Sequence, residues 1–323
     1  MDITDKVTLR IGDCLDVLQD DIANGVQYDA VVMDPPYEIG LWGMSWDNTG
    51  VSFGDVLWRR LYAVMKPGAY LVSFTRDRYY HRIAVAAEDT GLTIYPPLYW
   101  QFPGGMPKPM NVSNLFNREA PERKAIGAKP GSGYVKLMVK HGVQNVTHYD
   151  FAVYEAATPE AVAYKKHYYG LNSFRPVIEP ILLCQKPASE KRRIDNIRLH
   201  GTGSLYFGWS DVWPSTVYEC SRATKAEHGS DLPCVKPLDL MMRLCQTVVG
   251  GRGGAPRVLD PFAGSGTTGV ACARLGMGCD LIELDAGMEA TIRRRLAAGA
   301  LVVQPIAEPR ESGRNTPDAT DAR

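Results

Sequence analysis

No apolar run in this chain is long enough to cross a bilayer; the longest, "VIEPILLC" and "ALVVQP", stop far short of a spanning helix. The first ten residues, MDITDKVTLR, contain no hydrophobic signal region. Together these absences exclude a helical membrane protein and predict a cytoplasmic one. No CxxC pair occurs. The seven cysteines (14, 184, 220, 234, 245, 272 and 279) are odd in number and scattered, which argues against a zinc site or a disulfide framework and predicts reduced, mostly buried thiols. No internal repeat is visible, and no metal is expected. Net charge is also missing: 36 Lys and Arg balance 36 Asp and Glu. The balance hides an asymmetry. Residues 1–100 carry 8 basic against 14 acidic side chains, and residues 101–200 carry 15 against 8. A basic middle third in a neutral chain suits a polyanion-binding surface.

What is present is an ordinary globular composition, 45% hydrophobic and 22% charged over 323 residues, enough for one large domain carrying an insertion. Short β-like runs alternate with helical ones, predicting an α/β sheet. Strands are expected at 7–11, 28–33, 69–74, 177–186, 257–260 and 279–284. "LTIYPPLYWQF" reads as a strand interrupted by Pro96-Pro97, at an edge or bent. Helices are expected after Asp13, over 53–65, 79–91 and 237–249, after Gly266 and over 287–299. From Pro103 to about Arg175 the pattern weakens, "GAKPGSGYVK" reading as loop-rich. Residues 187–227 read as irregular, and the tail from about Glu308 as disordered.

"VLDPFAGSGTTGVACARLG" runs from strand through glycine-rich turn to helix, and Gly264-Ser265-Gly266-Thr267-Thr268-Gly269 spells GxGxxG. Glycines let the backbone turn sharply and approach a ligand closely. The next strand ends in Glu283, whose carboxylate suits ribose hydroxyls. An adenosine-bearing cofactor is therefore expected. The loop lacks the lysine of a phosphate-binding P-loop. Asp260 directly before it suits a cationic ligand better than a pyrophosphate, which favours S-adenosylmethionine over a dinucleotide.

Asp34-Pro35-Pro36-Tyr37 ends the apolar run Ala30–Met33 and so belongs at the carboxyl edge of the sheet, where open α/β sheets hold ligands. The prolines stiffen the corner. Asp34 offers acceptors for an amino group, whose lone pair is otherwise delocalised into a base, and Tyr37 offers a stacking face.

These two stretches resemble the motifs of the DNA amino-methyltransferases. Asp34–Tyr37 is similar to their catalytic tetrapeptide, and Asp260-Pro261-Phe262-Ala263-Gly264-Ser265-Gly266-Thr267-Thr268 to their S-adenosylmethionine loop. Lys236-Pro237 resembles the short motif preceding that loop, Gly12-Asp13 the acid on the cofactor's adenine, and Glu283 the acid on its ribose; Asp285 is grouped with these cofactor residues. The order, catalytic corner first and cofactor loop last, resembles the permuted β class, and "DPPYEIGLWGMSWD", "KPGAYLVSFTRDRYYHRIAVAAEDTG" and "WQFPGGMPKPMNVSNLF" resemble phage and prophage members.

The resemblance implies a circularly permuted Rossmann-like methyltransferase sheet with an inserted target-recognition region. Its expected divisions are a catalytic half at 1–105, the insertion at 106–175, a core strand within 176–190, a second irregular recognition part at 191–227, a cofactor half at 228–304 and a tail at 305–323. It implies methylation of adenine N6 in flipped-out duplex DNA, in a bacterial or phage-infected cytoplasm. Cytosine N4 is the alternative, because acid-first tetrapeptides lean to adenine and serine-first ones to cytosine. Candidate DNA contacts are Lys108, Arg118, Arg123, Lys124, Lys165, Lys166 and Arg175. A homodimer and a cognate restriction enzyme stay open as partners. Other readings are an RNA or protein-amide methyltransferase, a dinucleotide oxidoreductase resting on GxGxxG alone, and a DNA-binding protein without catalysis. Trp42 and Trp46 are candidates to cover the pocket or to pack in the core, and Cys234 reads as structural. Two departures from the family pattern are His228, farther from Lys236 than usual, and Glu38, where relatives often have glycine.

Overall fold

The computed structural model describes residues 2–4, 6–39, 47–103, 105, 107, 109–119, 125–139, 142–154, 158–171, 173–224, 234–251 and 255–300. Trp42, Trp46, Lys108, Arg123, Lys124, His228 and the 305–323 tail lie outside the described residues. The chain divides into two compact units, Pro103–Val177 and the remainder.

Among the described residues, the larger unit is built on ten strands: β1 (Asp2–Thr4), β2 (Val7–Ile11), β3 (Tyr28–Met33), β4 (Met65–Phe74), β5 (Thr93–Ile94), β6 (Leu98–Gln101), β7 (Ile178–Gln185), β8 (Val217–Glu219), β9 (Arg257–Asp260) and β10 (Gly278–Glu283). Their order is β1-β2-β10-β9-β3-β4-β7-β6-β8, with β5 paired to β7. From β2 to β4 the pairings are parallel; β7 runs antiparallel to β4. The helices are α1 (Cys14–Ala23), α2 (Asp55–Val64), α3 (Tyr80–Glu88), α4 (Arg193–His200), α5 (Leu238–Val249), α6 (Thr267–Arg274) and α7 (Glu289–Ala300).

Every residue of β3 is buried. Its Ala30 and Val32 pack on the face covered by α5, α6 and α7, while Val31 and Met33 pack on the face of α1, α2 and α3. Burial on both faces explains why β3 reads as a continuous apolar run rather than an alternating one. β9 and β3 are parallel neighbours, Leu259 opposite Val31. The helix following β9 covers one face and the helix following β3 covers the other. The chain therefore parts beyond their carboxyl ends, the switch point where such sheets open a crevice. Asp260 ends one of these strands and Asp34 follows the other.

In the larger unit, three sequence expectations change. β4 begins at Met65, so Lys66-Pro67-Gly68 stops the helix yet lies within a strand. Pro96-Pro97 does split its segment, but β6 is an interior strand between β7 and β8 rather than an edge. Residues 191–227 are not simply irregular: they contain α4, and β8, which joins the main sheet.

In the smaller unit, "GAKPGSGYVK" lies in the strand Ala125–Val139, paired antiparallel with Gly142–Tyr154, where a loop was expected. Met110–Asn111 pairs with Tyr168–Tyr169. The helix Val112–Glu119 meets Pro159–Ala163 through a hydrogen bond of 2.7 Å from Ser113 Oγ to the Ala161 carbonyl.

Candidate active site

The corner after β3 is held by groups distant in sequence. Asp47, 1% exposed, accepts the backbone N–H groups of Tyr37 at 2.7 Å and Glu38 at 3.0 Å through one oxygen. The Ser52 hydroxyl donates to the Pro36 carbonyl, and Trp58 Nε1 donates to the Ser52 carbonyl at 2.9 Å, tying the corner to α2. Glu38 stands at φ 54°, in the left-handed region that favours glycine. Its carboxylate accepts from Gly50 N at 2.8 Å and Thr49 Oγ1 at 3.2 Å, contacts a glycine could not make.

Asp34 lies in a cluster of four side chains. Lys236 Nζ is 2.6 Å from Asp34 Oδ2, 3.3 Å from Glu179 Oε1 and 3.0 Å from the Tyr37 hydroxyl. That hydroxyl is 2.9 Å from Asp34 Oδ1 and 2.5 Å from Glu179 Oε1. Burial alone would favour a neutral Lys236 amine, but the Asp34 and Glu179 charges outweigh it and hold the ammonium above its usual range. Burial and the same two charges push the Tyr37 hydroxyl well above the usual phenol range, so it remains a donor.

The glycine loop follows β9. Gly264 and Gly266 have φ of 53° and 80°, and a Cβ on Gly266 would lie 2.9 Å from Ile292 Cγ2. A Cβ on Gly269 would meet Leu281 Cδ1 at 2.7 Å, which sets how closely α6 lies on the sheet. Glu283 accepts from Gly264 N at 2.7 Å and Asp285 N at 2.9 Å. Asp13 caps α1 by accepting from Leu15 N at 2.7 Å. Asp260 accepts from Phe262 N and the Thr268 hydroxyl. Even so, desolvation wins over these donors, and with the Asp34 and Glu283 charges beside it the carboxyl is pushed up to about 7.

Corner and loop share one cavity of about 340 Å³. Of the residues expected at the site, Asp13, Asp34, Pro36, Lys236, Asp260, Phe262, Ala263, Gly264, Ser265, Thr267, Glu283 and Asp285 line it. Pro35, Tyr37, Pro237 and Gly266 are not among the lining residues; Tyr37 enters through Asp34 and Lys236, and Pro237 caps α5. The lining charge is acidic: Asp13, Asp34, Asp260, Glu283 and Asp285 face a cation, Lys236, already committed to Asp34 and Glu179.

The DNA methylase family model of N6/N4 type matches residues 28–292. The chain belongs to this family. It is 26% identical to the type II methyltransferase M.HindIII of Haemophilus influenzae (strain ATCC 51907 / DSM 11121 / KW20 / Rd) over an aligned length of 249 residues, with 74% of the chain covered. It spans 63% of that relative's length. In fold it is similar to M1.HpyAVI, solved in complex with SAM, with a TM-score of 0.52, 17% identity, and coverage of 90% of this chain and 99% of that one. It is also similar to the cytosine-N4-specific PvuII DNA methyltransferase, with a TM-score of 0.51, 14% identity, and coverage of 90% and 86%. These likenesses show a mixed α/β methyltransferase fold.

Within this chain, three residues that sequence reasoning did not single out shape the site. Glu179, inside the quoted "EPILLCQKP", reaches the corner from β7. Asp47 fixes the corner's backbone. Arg295 Nη1 on α7 donates to the Ser265 carbonyl at 2.6 Å and to Thr267 Oγ1 at 3.0 Å, clamping the glycine loop. Common residue types at single positions carry no spacing signal, so only the fold brings these three into view. In the smaller unit, Arg118, Lys165, Lys166 and Arg175 are exposed, and Arg175 Nε also donates to the Gly105 carbonyl at 3.1 Å.

Proposed function

We propose that the protein is an S-adenosylmethionine-dependent DNA amino-methyltransferase acting on adenine N6. The observation that carries the reading is the shared acidic cavity: a carboxylate corner and a glycine loop, separated in sequence, line one space at the sheet's switch point. Its lining fits S-adenosylmethionine. Asp260 offers a carboxylate to an ammonium group, Glu283 and Asp285 offer acceptors to ribose hydroxyls, and Asp13 offers one at the adenine end. A pyrophosphate would meet carboxylates and no free cation among the described lining residues, which disfavours the dinucleotide reading.

When bound, S-adenosylmethionine supplies an electrophilic methyl group on a sulfonium. The chain's own residues do the rest. The stiff corner holds Asp34 where its oxygens can accept the hydrogens of an amino group, and that acceptance localises the nitrogen's lone pair. Asp34 then takes the proton the nitrogen loses. A base inside a duplex cannot reach this corner, so the target is flipped out, with Tyr37 as its stacking face. Arg118, Lys165, Lys166 and Arg175 hold phosphates. The acid-first tetrapeptide supports adenine over cytosine, and the phage-like stretches support a phage or prophage source. Duplex DNA is the partner; a second copy and a cognate restriction enzyme are compatible additions.

Mass spectrometry of nucleosides from DNA treated with the protein and S-adenosylmethionine tests the target base. N6-methyladenine is expected. N4-methylcytosine in its place would overturn the choice of base while leaving the reaction class intact.

A further inference from the structure

We propose that Glu179 is a positioning residue for Asp34: the second acceptor that takes over Tyr37 and Lys236 when an amino group occupies the Asp34 oxygens. The proposal rests on the amino-methyltransferase reading.

Both Asp34 oxygens are engaged, Oδ2 by the Lys236 ammonium at 2.6 Å and Oδ1 by the Tyr37 hydroxyl at 2.9 Å. An incoming amino group needs those oxygens. The Tyr37 hydroxyl has a single proton and stands within hydrogen-bond distance of two carboxylates, so it serves one at a time. With Glu179 Oε1 only 2.5 Å away, turning that proton from Asp34 to Glu179 requires rotation of the hydroxyl and no movement of the ring. Lys236 has three protons and already lies 3.3 Å from Glu179. It can therefore yield at Asp34 and keep an anionic partner. Lys236 is 7% exposed, and without Glu179 the same release would leave a buried ammonium unpaired, a costly state. Glu179 thus makes the Asp34 oxygens exchangeable, one of them left open for the proton that the amino nitrogen loses.

Among the described residues, the charged and titratable groups facing the cluster are Asp34 and Tyr37 after β3, Asp47 before α2, Glu179 on β7, Cys234 and Lys236 before α5, and Asp260 at the end of β9.

The test uses the full chain and its Glu179→Gln and Glu179→Asp variants. Glu179→Gln is expected to lower kcat for methyl transfer to duplex DNA by about 100-fold, the size of effect seen when reacting groups are misplaced. Its affinity for S-adenosylmethionine should be unchanged, so that the loss falls on kcat. Glu179→Asp should recover part of the rate. A readout without DNA or cofactor accompanies these: the Tyr37 hydroxyl proton, passing between Asp34 and Glu179, should give a low-field resonance, absent in Tyr37→Phe, moved in Glu179→Gln and kept in Asp34→Asn. A Glu179→Gln variant with wild-type kcat, or with the low-field resonance unmoved, overturns the proposal. If the wild-type chain binds S-adenosylmethionine yet methylates no DNA, the amino-methyltransferase reading fails instead. The resonance still decides whether Glu179 shares Tyr37.

Discussion

Asp260 is 3% exposed and held by two donors, yet its carboxyl sits near pH 7 because burial outweighs them. The unfolded chain ionises this group near its ordinary value of about 4. The neutral form is therefore favoured by folding below that pH, and the associated stability is lost as pH rises from about 4 through about 7. A cationic ligand reverses the preference by favouring the carboxylate. Affinity for S-adenosylmethionine is expected to rise with pH below 7, by up to about tenfold per unit, with proton uptake by the buffer on binding. Calorimetric titration in buffers of different ionisation enthalpy measures both, and Asp260→Asn should flatten the dependence. A flat wild-type profile between pH 5.5 and 7.5, roughly the window on either side of this carboxyl, would contradict the role. At this scale the sequence is legible where chemistry is contiguous. Asp34–Tyr37 and Asp260–Thr267 announce themselves by their neighbours, whereas Glu179, Asp47 and Arg295 gain meaning only through tertiary contacts.

At the level of elements, the turn into α6 depends on a residue with no side chain. Gly266 has φ 80°, and a Cβ there would press on the fully buried Ile292 of α7. Left-handed backbone and crowding act together, so Gly266→Ala is expected to destabilise the fold by about 1–3 kcal/mol and to weaken S-adenosylmethionine binding. Denaturant unfolding and ligand titration check the two effects; an unchanged midpoint would show that loop and helix can part without cost. The central strands were readable because β3 and β9 are apolar runs ended by acids and turn residues. β8 and the interior place of β6 were not. β8 spans only Val217–Glu219 between irregular stretches, and β6 follows two prolines, the usual mark of an edge. Their pairing is decided by strands far away in the sequence.

Across the whole molecule, charge is partitioned by unit. Residues 103–177 contain ten Lys and Arg against five Asp and Glu, while the cavity in the larger unit is lined by acids. Such an arrangement suits a protein that takes a cationic cofactor in one place and a polyanion in another. Replacing the exposed Lys165 and Lys166 together by Glu is expected to weaken DNA binding similarly across sequences. The slope of log K against log salt should fall by about 0.9 for each phosphate that is no longer neutralised. Binding measured over a salt series decides, and an unchanged slope would place the phosphate-binding side chains elsewhere. The measurement closest to the centre is transfer of labelled methyl from S-adenosylmethionine to duplex DNA by the wild-type chain and by Asp34→Ala, alongside cofactor titration of both. The expected result is label in DNA from the wild type and loss of that label by a factor of about 100 or more in the variant, with cofactor affinity retained. Wild-type rates from Asp34→Ala, or a wild-type chain that binds the cofactor and labels no duplex of any sequence, would contradict a shared site for methyl donor and amino acceptor.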